Sequence, residues 1–191
     1  MTAQKMEILF YNKKKLGMIS FPLNQFLLNN KPNIELIPTS SALWRGYLGQ
    51  WEIYRKRLYL VSLKGEGCEF DVDKFRSERL KLRKKLKSGQ ITPQENGLLL
   101  KKLKKKCQKY FTLSVGKLFG TNQKVPADWF TGKLCIPYGK VLKYINQGFG
   151  AIHEKELHII ISEGKILGTS VKKNELKEYK NYPFRMLNGN K

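Results

Sequence analysis

Lysine and arginine crowd residues 74–109, "KFRSERLKLRKKLKSGQITPQENGLLLKKLKKKCQK", at a density suited to neutralising phosphates. Fourteen basic residues stand there against two acids, Glu78 and Glu95, which is +12 of the chain's net +22. A field of that sign attracts polyanions. The groups expected to make the contacts are Lys81, Arg83, Lys84, Lys85 and Lys87, followed by Lys101, Lys102, Lys104, Lys105 and Lys106. Of the chain's 37 basic residues 30 are lysine, a point charge without arginine's bidentate fork. Such groups add affinity without reading bases, so the expected contact with nucleic acid or another polyanion is non-specific. A helix-turn-helix reader fits poorly, because its recognition helix needs side chains that bond base edges. The competing reading is a solvated face, with the charge left by compositional drift in an A/T-rich coding sequence.

Other chemistries have thinner support. Glu52 and Glu154 could form a hydrolytic carboxylate pair if the two glycine–aromatic hairpins brought them within the ~5–10 Å that glycosidase chemistry needs, and Asp128 could serve as a general base or equally as a turn or cap residue. "HEKELH" sets His153 and His158 five apart rather than the four of HExxH, which turns them apart on a helix and to opposite faces of a strand. Cys135 alternates with Leu134 and Ile136, the pattern of a buried, inert thiol. No Walker loop, G-x-S-x-G elbow or dinucleotide fingerprint is present. "RGYLGQWE" and "QGFGAIHE" begin like the RNA-recognition signature but lack aromatics at its fifth and eighth places. No catalytic residue, metal or cofactor is therefore assigned.

The elements that hold these groups follow from periodicity. Residues 74–109 read as two helices. Asp73 is the expected N-cap of the first, with Gly89 past its end; Thr92, Pro93 and Glu95 open the second as a capping box. Phe75, Leu82 and Leu86, then Leu99, Leu103, Cys107 and Tyr110, give each helix one narrow apolar stripe, enough to pack as an antiparallel hairpin. On either side the period is two. "WRGYLGQWEIYRKRLYLVSL" (44–63) reads as two strands about "YRKR", with Tyr47, Trp51 and Ile53 facing the core. "HIIIS-EG-KILG" turns at Glu163-Gly164, "MEILFY" and "LGMISF" flank "NKKK", and "FPLNQFLLNN" suits a short helix.

Together these define an α+β chain, mainly β: a curled antiparallel sheet, barrel- or sandwich-like, with an inserted basic helical hairpin. Residues 1–72 and 110–180 form the β domain, 73–109 the insertion and 181–191 a tail. A hydrophobic content of 41% with 12% aromatics suits a folded domain rather than a disordered chain. No apolar run approaches the ~20 residues of a membrane span. Three distant cysteines without a CxxC pair suit a reducing compartment, so a cytoplasmic protein without a membrane span is expected.

"FPLNQFL", "WRGYLGQWEI....LYLVSL", "ADWFTGKLCIPYGKVLKYINQGFGAIHEKEL" and "ISEGKI" resemble, in that order, a family of small uncharacterised bacterial proteins. That family carries W-R-G-Y-x-x-x-W-E-I, L-Y-L, A-D-W-F-x-G and G-[FY]-G-x-x-x-E motifs. The resemblance implies that 44–63 and 127–166 share one domain and that the lysine-rich pair elaborates it; it transfers no catalytic residue. Three readings stay open: a non-enzymatic polyanion-binding domain, a protein-partner or immunity-type domain with incidental charge, and a hydrolase using Glu52, Asp128 or Glu154.

Overall fold

The structure, a computed structural model, describes residues 2–30 and 32–175. The elements run β1 (Glu7–Tyr11), β2 (Lys14–Met18), α1 (Pro22–Asn30), β3 (Ile34–Ile37), β4 (Tyr47–Tyr54) and β5 (Arg57–Phe70). They continue with α2 (Val72–Lys87), α3 (Pro93–Lys106), β6 (Gln108–Leu113), α4 (Val115–Phe119), β7 (Val125–Pro126), β8 (Gly132–Lys143), β9 (Ile152–Ser162) and β10 (Lys165–Lys173). The fold is α+β with strand predominating. Among the described residues no helix is long and apolar enough to cross a membrane. The tail expected at 181–191 lies outside the described residues.

Three hairpins turn on two residues of positive φ, at Asn12-Lys13, Arg55-Lys56 and Glu163-Gly164. Such paired left-handed residues match the right-handed twist of the flanking strands. The strands join in the order β2-β1-β4-β5-β10-β9-β8, and β3, β6 and β7 also pair with β5. β5 serves so many partners because they divide its length: β4 takes residues 57–65, while β3 and β6 flank its far half. Val61 has no residue opposite it in β4, since Trp51 pairs with Leu60 and Gln50 with Ser62. That extra residue shifts the side-chain phase, so Leu58 and Leu60 and then Leu63 all point inward.

The sheet differs from the expected antiparallel barrel or sandwich in two ways. β1 and β4 run parallel, with Leu9 beside Trp51. The reason is the crossover through α1 and β3, which returns the chain beside β1 in the same direction; a parallel neighbour requires such a detour. The sheet also stays open. Its end strands approach where the Ile19 N–H donates to the Cys135 carbonyl at 3.0 Å and the Cys135 N–H to Ser20 Oγ at 2.8 Å, but β2 and β8 form no ladder. The core beneath the sheet takes Leu9, Tyr47, Trp51, Leu58, Leu60, Leu134, Ile136, Ile159 and Ile161, every second residue of their strands.

Opposite Tyr47, Gly65 is a contact point between backbones. A Cβ there would lie 2.3 Å from the Gly46 carbonyl oxygen and 3.0 Å from Tyr47 Cα, atoms that cannot swing aside. Gly97, inside α3, has open space around its Cβ position. The same substitution should therefore act with opposite signs. Gly65→Ala is expected to cost about 3 kcal/mol through overpacking, and Gly97→Ala to add about 0.5–1 kcal/mol through helix propensity. Urea unfolding of both variants checks this.

Candidate functional site

The basic hairpin forms as a local structure. The Thr92 hydroxyl accepts from the Glu95 N–H at 3.2 Å, and Glu95 Oε2 accepts from the Thr92 N–H at 2.8 Å, closing the capping box. Pro93 opens α3, and Gly89 takes a φ of 71° past the end of α2. The N-cap of α2 is Asp71 rather than Asp73: its side chain accepts from the Lys74 N–H at 3.0 Å while its carbonyl accepts from Phe75. The helix starts two residues early because the Asp71 N–H is already taken by the Cys107 carbonyl at the root of the hairpin. The stripe on α3 also shifts. Leu99 is 36% exposed, and Tyr110 lies in β6 with 69% exposure, because the helix ends at Lys106 with Cys107 as its C-cap. Leu100 joins Leu103 and Cys107 on the covered side instead.

Burial is concentrated at the root. α2 has no buried residue, and Leu103 is the one buried within α3, followed by the fully buried Cys107. Phe70, at the end of β5, packs its ring 5.1 Å from that of Phe75. All ten basic side chains assigned from sequence are exposed on the two helices. Among the described residues, Lys81 alone of the ten is ion-paired, to Glu78 at 2.6 Å within its own helix. The neighbouring Lys81 ammonium holds the Glu78 carboxyl below its ordinary range.

The carboxylates named for hydrolysis are not assembled into one network. Glu52 pairs with Lys124 at 2.8 Å, Asp128 with Arg57 at 3.1 Å, and Glu154 with Lys155 at 3.3 Å. Two open grooves at the hairpin root, about 310 and 290 Å³ in volume, share Pro32, Asn33, Ile34 and Phe70 and include none of these three acids. Both histidines lie on β9, where their odd separation sends them to opposite faces; His158 Nε2 stands 3.1 Å from Glu156 Oε2. Cys135 departs from the expected buried position. It is half-buried on the side of β8 opposite Leu134 and Ile136, whose side chains fill the core. Alternation puts neighbours on opposite faces, so a thiol between two core residues points away from the core.

The sequence patterns did not single out Glu7. Its carboxylate is fully buried between β1 and β4. Trp51 Nε1 and the Gly49 N–H donate to it, and Arg45 Nε lies 3.3 Å from its Oε1. The Arg45 guanidinium is 4.7 Å from the Phe21 ring and 5.5 Å from that of Tyr47, and Phe21 packs on Phe149 at 5.3 Å. Gly49 leaves the room, because a Cβ there would lie 2.8 Å from Glu7 Oε2. Burial pushes the Glu7 carboxyl up to about 7, against the opposing pull of Arg45 and the two donors. One clue was available: Glu7 shares its phase with Leu9, an acid on the inward face of an apolar strand.

The "WRGY" and "GFG" stretches meet at this point. The Gln4 N–H donates to the Gly148 carbonyl at 2.8 Å, and Gln4 Oε1 accepts from the Trp44 N–H at 3.1 Å. The glycine–aromatic motifs thus meet around the Glu7–Arg45 pair. The chain matches no protein-family model, and no curated protein and no solved structure matches it either.

Proposed function

We propose that this protein is a non-enzymatic, cytoplasmic interaction domain that holds a polyanion, nucleic acid foremost, through the α2–α3 hairpin. The observation that carries the reading is the set of ten exposed basic side chains on two antiparallel helices, of which, among the described residues, Lys81 alone is paired with a carboxylate. Cationic groups presented from a pair of helices attract phosphates wherever they lie along a strand, so contact is electrostatic and indifferent to sequence. The motifs at 44–53 and 148–154 then serve as framework, and the hairpin is the elaboration that binds.

If about six phosphates are neutralised, log affinity against log salt falls with a slope near −5. Fluorescence anisotropy of a labelled duplex titrated across a range of KCl concentrations tests this. A flat salt dependence overturns the proposal. A protein partner is the second reading, favoured by β10, where Leu167 and Val171 are 70% and 53% exposed. Affinity capture that survives nuclease treatment would favour that reading instead.

A further inference from the structure

The strands that bury Trp51 and Tyr47 have a second face. Register places Lys15 opposite Phe10, Phe10 beside Glu52, and Glu52 opposite Tyr59, one row running across β2, β1, β4 and β5. In the next row Tyr54 stands opposite Arg57, and Arg57 opposite Lys165. Since Leu9, Trp51 and Leu58 fill the core, these residues face outward. Phe10 is 37% and Tyr54 45% exposed, and Tyr59 is half-buried between them and β7.

The charges on this face are positive in balance. Glu52 is neutralised by Lys124 at 2.8 Å and Asp128 by Arg57 at 3.1 Å, leaving Lys15, Arg55 and Lys165 in excess. The Lys124 ammonium also stands 4.5 Å from the Tyr54 ring and 4.9 Å from the Tyr59 ring, and the Arg55 guanidinium 5.3 Å from Tyr54. These cations rest on the tyrosine rings from the solvent side, on exposed side chains that can give way to a flat partner.

We propose that this outer face is a stacking platform for single-stranded nucleic acid, built from Phe10, Tyr54 and Tyr59. Neighbouring strands lie about 4.8 Å apart, so Phe10 and Tyr59, two strands apart, are separated by roughly 10 Å. Successive splayed bases can take both rings. A base stacking on the tyrosines moves the Lys124 ammonium off their rings while Glu52 holds it within reach of the backbone phosphate, with Arg55 and Lys15 flanking the track. A duplex cannot use the platform, because its base faces are already stacked on one another. The residues are separate from the hairpin, so this site adds to the proposed function without depending on it.

The test compares a labelled oligothymidylate with a duplex of equal length. Phe10→Ala and Tyr54→Ala are each expected to weaken oligothymidylate binding roughly 10-fold and to leave duplex binding unchanged. Tyr54→Phe and Tyr59→Phe, which keep the ring, are expected to bind as the parent does. Both alanine variants sit on exposed positions, and melting curves confirm that they fold. Unchanged oligothymidylate affinity in these two variants, or an equal loss in the phenylalanine variants, overturns the platform. Salt-steep duplex binding alongside that result leaves the hairpin standing; a parent protein that binds neither probe removes both readings.

Discussion

Arg45→Ala is expected to destabilise the protein by about 3–5 kcal/mol near pH 8, because it leaves a buried carboxylate without its counter-charge. Glu7 is fully buried, and Arg45 is the cation beside it. The loss should shrink in acid, where Glu7 is neutral. Burial raises the Glu7 carboxyl from 4.5 to about 7. A carboxyl with its folded pKa above its unfolded one binds the proton more tightly in the native state. Its contribution to stability is then full below about 4.5 and is lost as pH rises through about 7. That window is worth about 3 kcal/mol. Glu7→Gln isolates the effect. A carboxamide can accept from Trp51 and sits beside Arg45 as the protonated acid does, but it does not titrate. Relative to the parent, the variant should gain about 3 kcal/mol between the acid and alkaline ends of the window. Urea unfolding at both ends reads this directly, and a constant difference between the two proteins would remove the titration from Glu7. Arg45→Lys should fall between parent and alanine, since an ammonium keeps the charge but not the planar group seated against Phe21.

The second large effect concerns binding. Replacing Lys81, Arg83, Lys84, Lys85, Lys87, Lys101, Lys102, Lys104, Lys105 and Lys106 together by glutamine should weaken duplex binding on the order of 10⁵-fold at ~0.1 M salt. Each neutralised phosphate contributes about 0.9 in log affinity per decade of salt, and about six are engaged. The ten side chains are exposed, so the change leaves the apolar contacts at Leu103 and Cys107 intact. Glutamine is a good helix former, and the Thr92–Glu95 box is untouched. Arginine at all ten positions keeps the charge and should keep both the affinity and the salt slope. Equal binding by the parent and the glutamine variant would assign the charge to solvation alone.

What could be read from residues alone was whatever rests on short range. The capping box from Thr92 to Glu95 spans four residues, the Glu163-Gly164 turn two, and the alternation of Leu134 with Ile136 is a property of one strand. Each is a pattern among near neighbours in the chain, so each is written in local spacing. Where two nearby positions competed, tertiary contacts decided. Asp71 caps α2 in place of Asp73 because its N–H is bonded to Cys107 across the hairpin, and Leu100 displaces Leu99 because α3 turns that side inward. Cys135 points away from the core by the same alternation that buries its neighbours.

The buried Glu7–Arg45 pair lay beyond such reasoning because 38 positions separate its members. Nothing in either strand says which neighbour it takes; the crossover through α1 and β3 lays β4 parallel to β1 and brings Trp51 beside Leu9. The outer row of Phe10, Glu52 and Tyr59 exists for the same reason, as a consequence of register between three strands. The chain by itself therefore determined the charge, the helical hairpin and the alternation along most strands, all written in spacings of a few residues. Which strands are adjacent, and hence where a carboxylate is buried and which aromatics share an open face, was decided by three-dimensional packing, because strand pairing joins residues that sequence spacing does not relate.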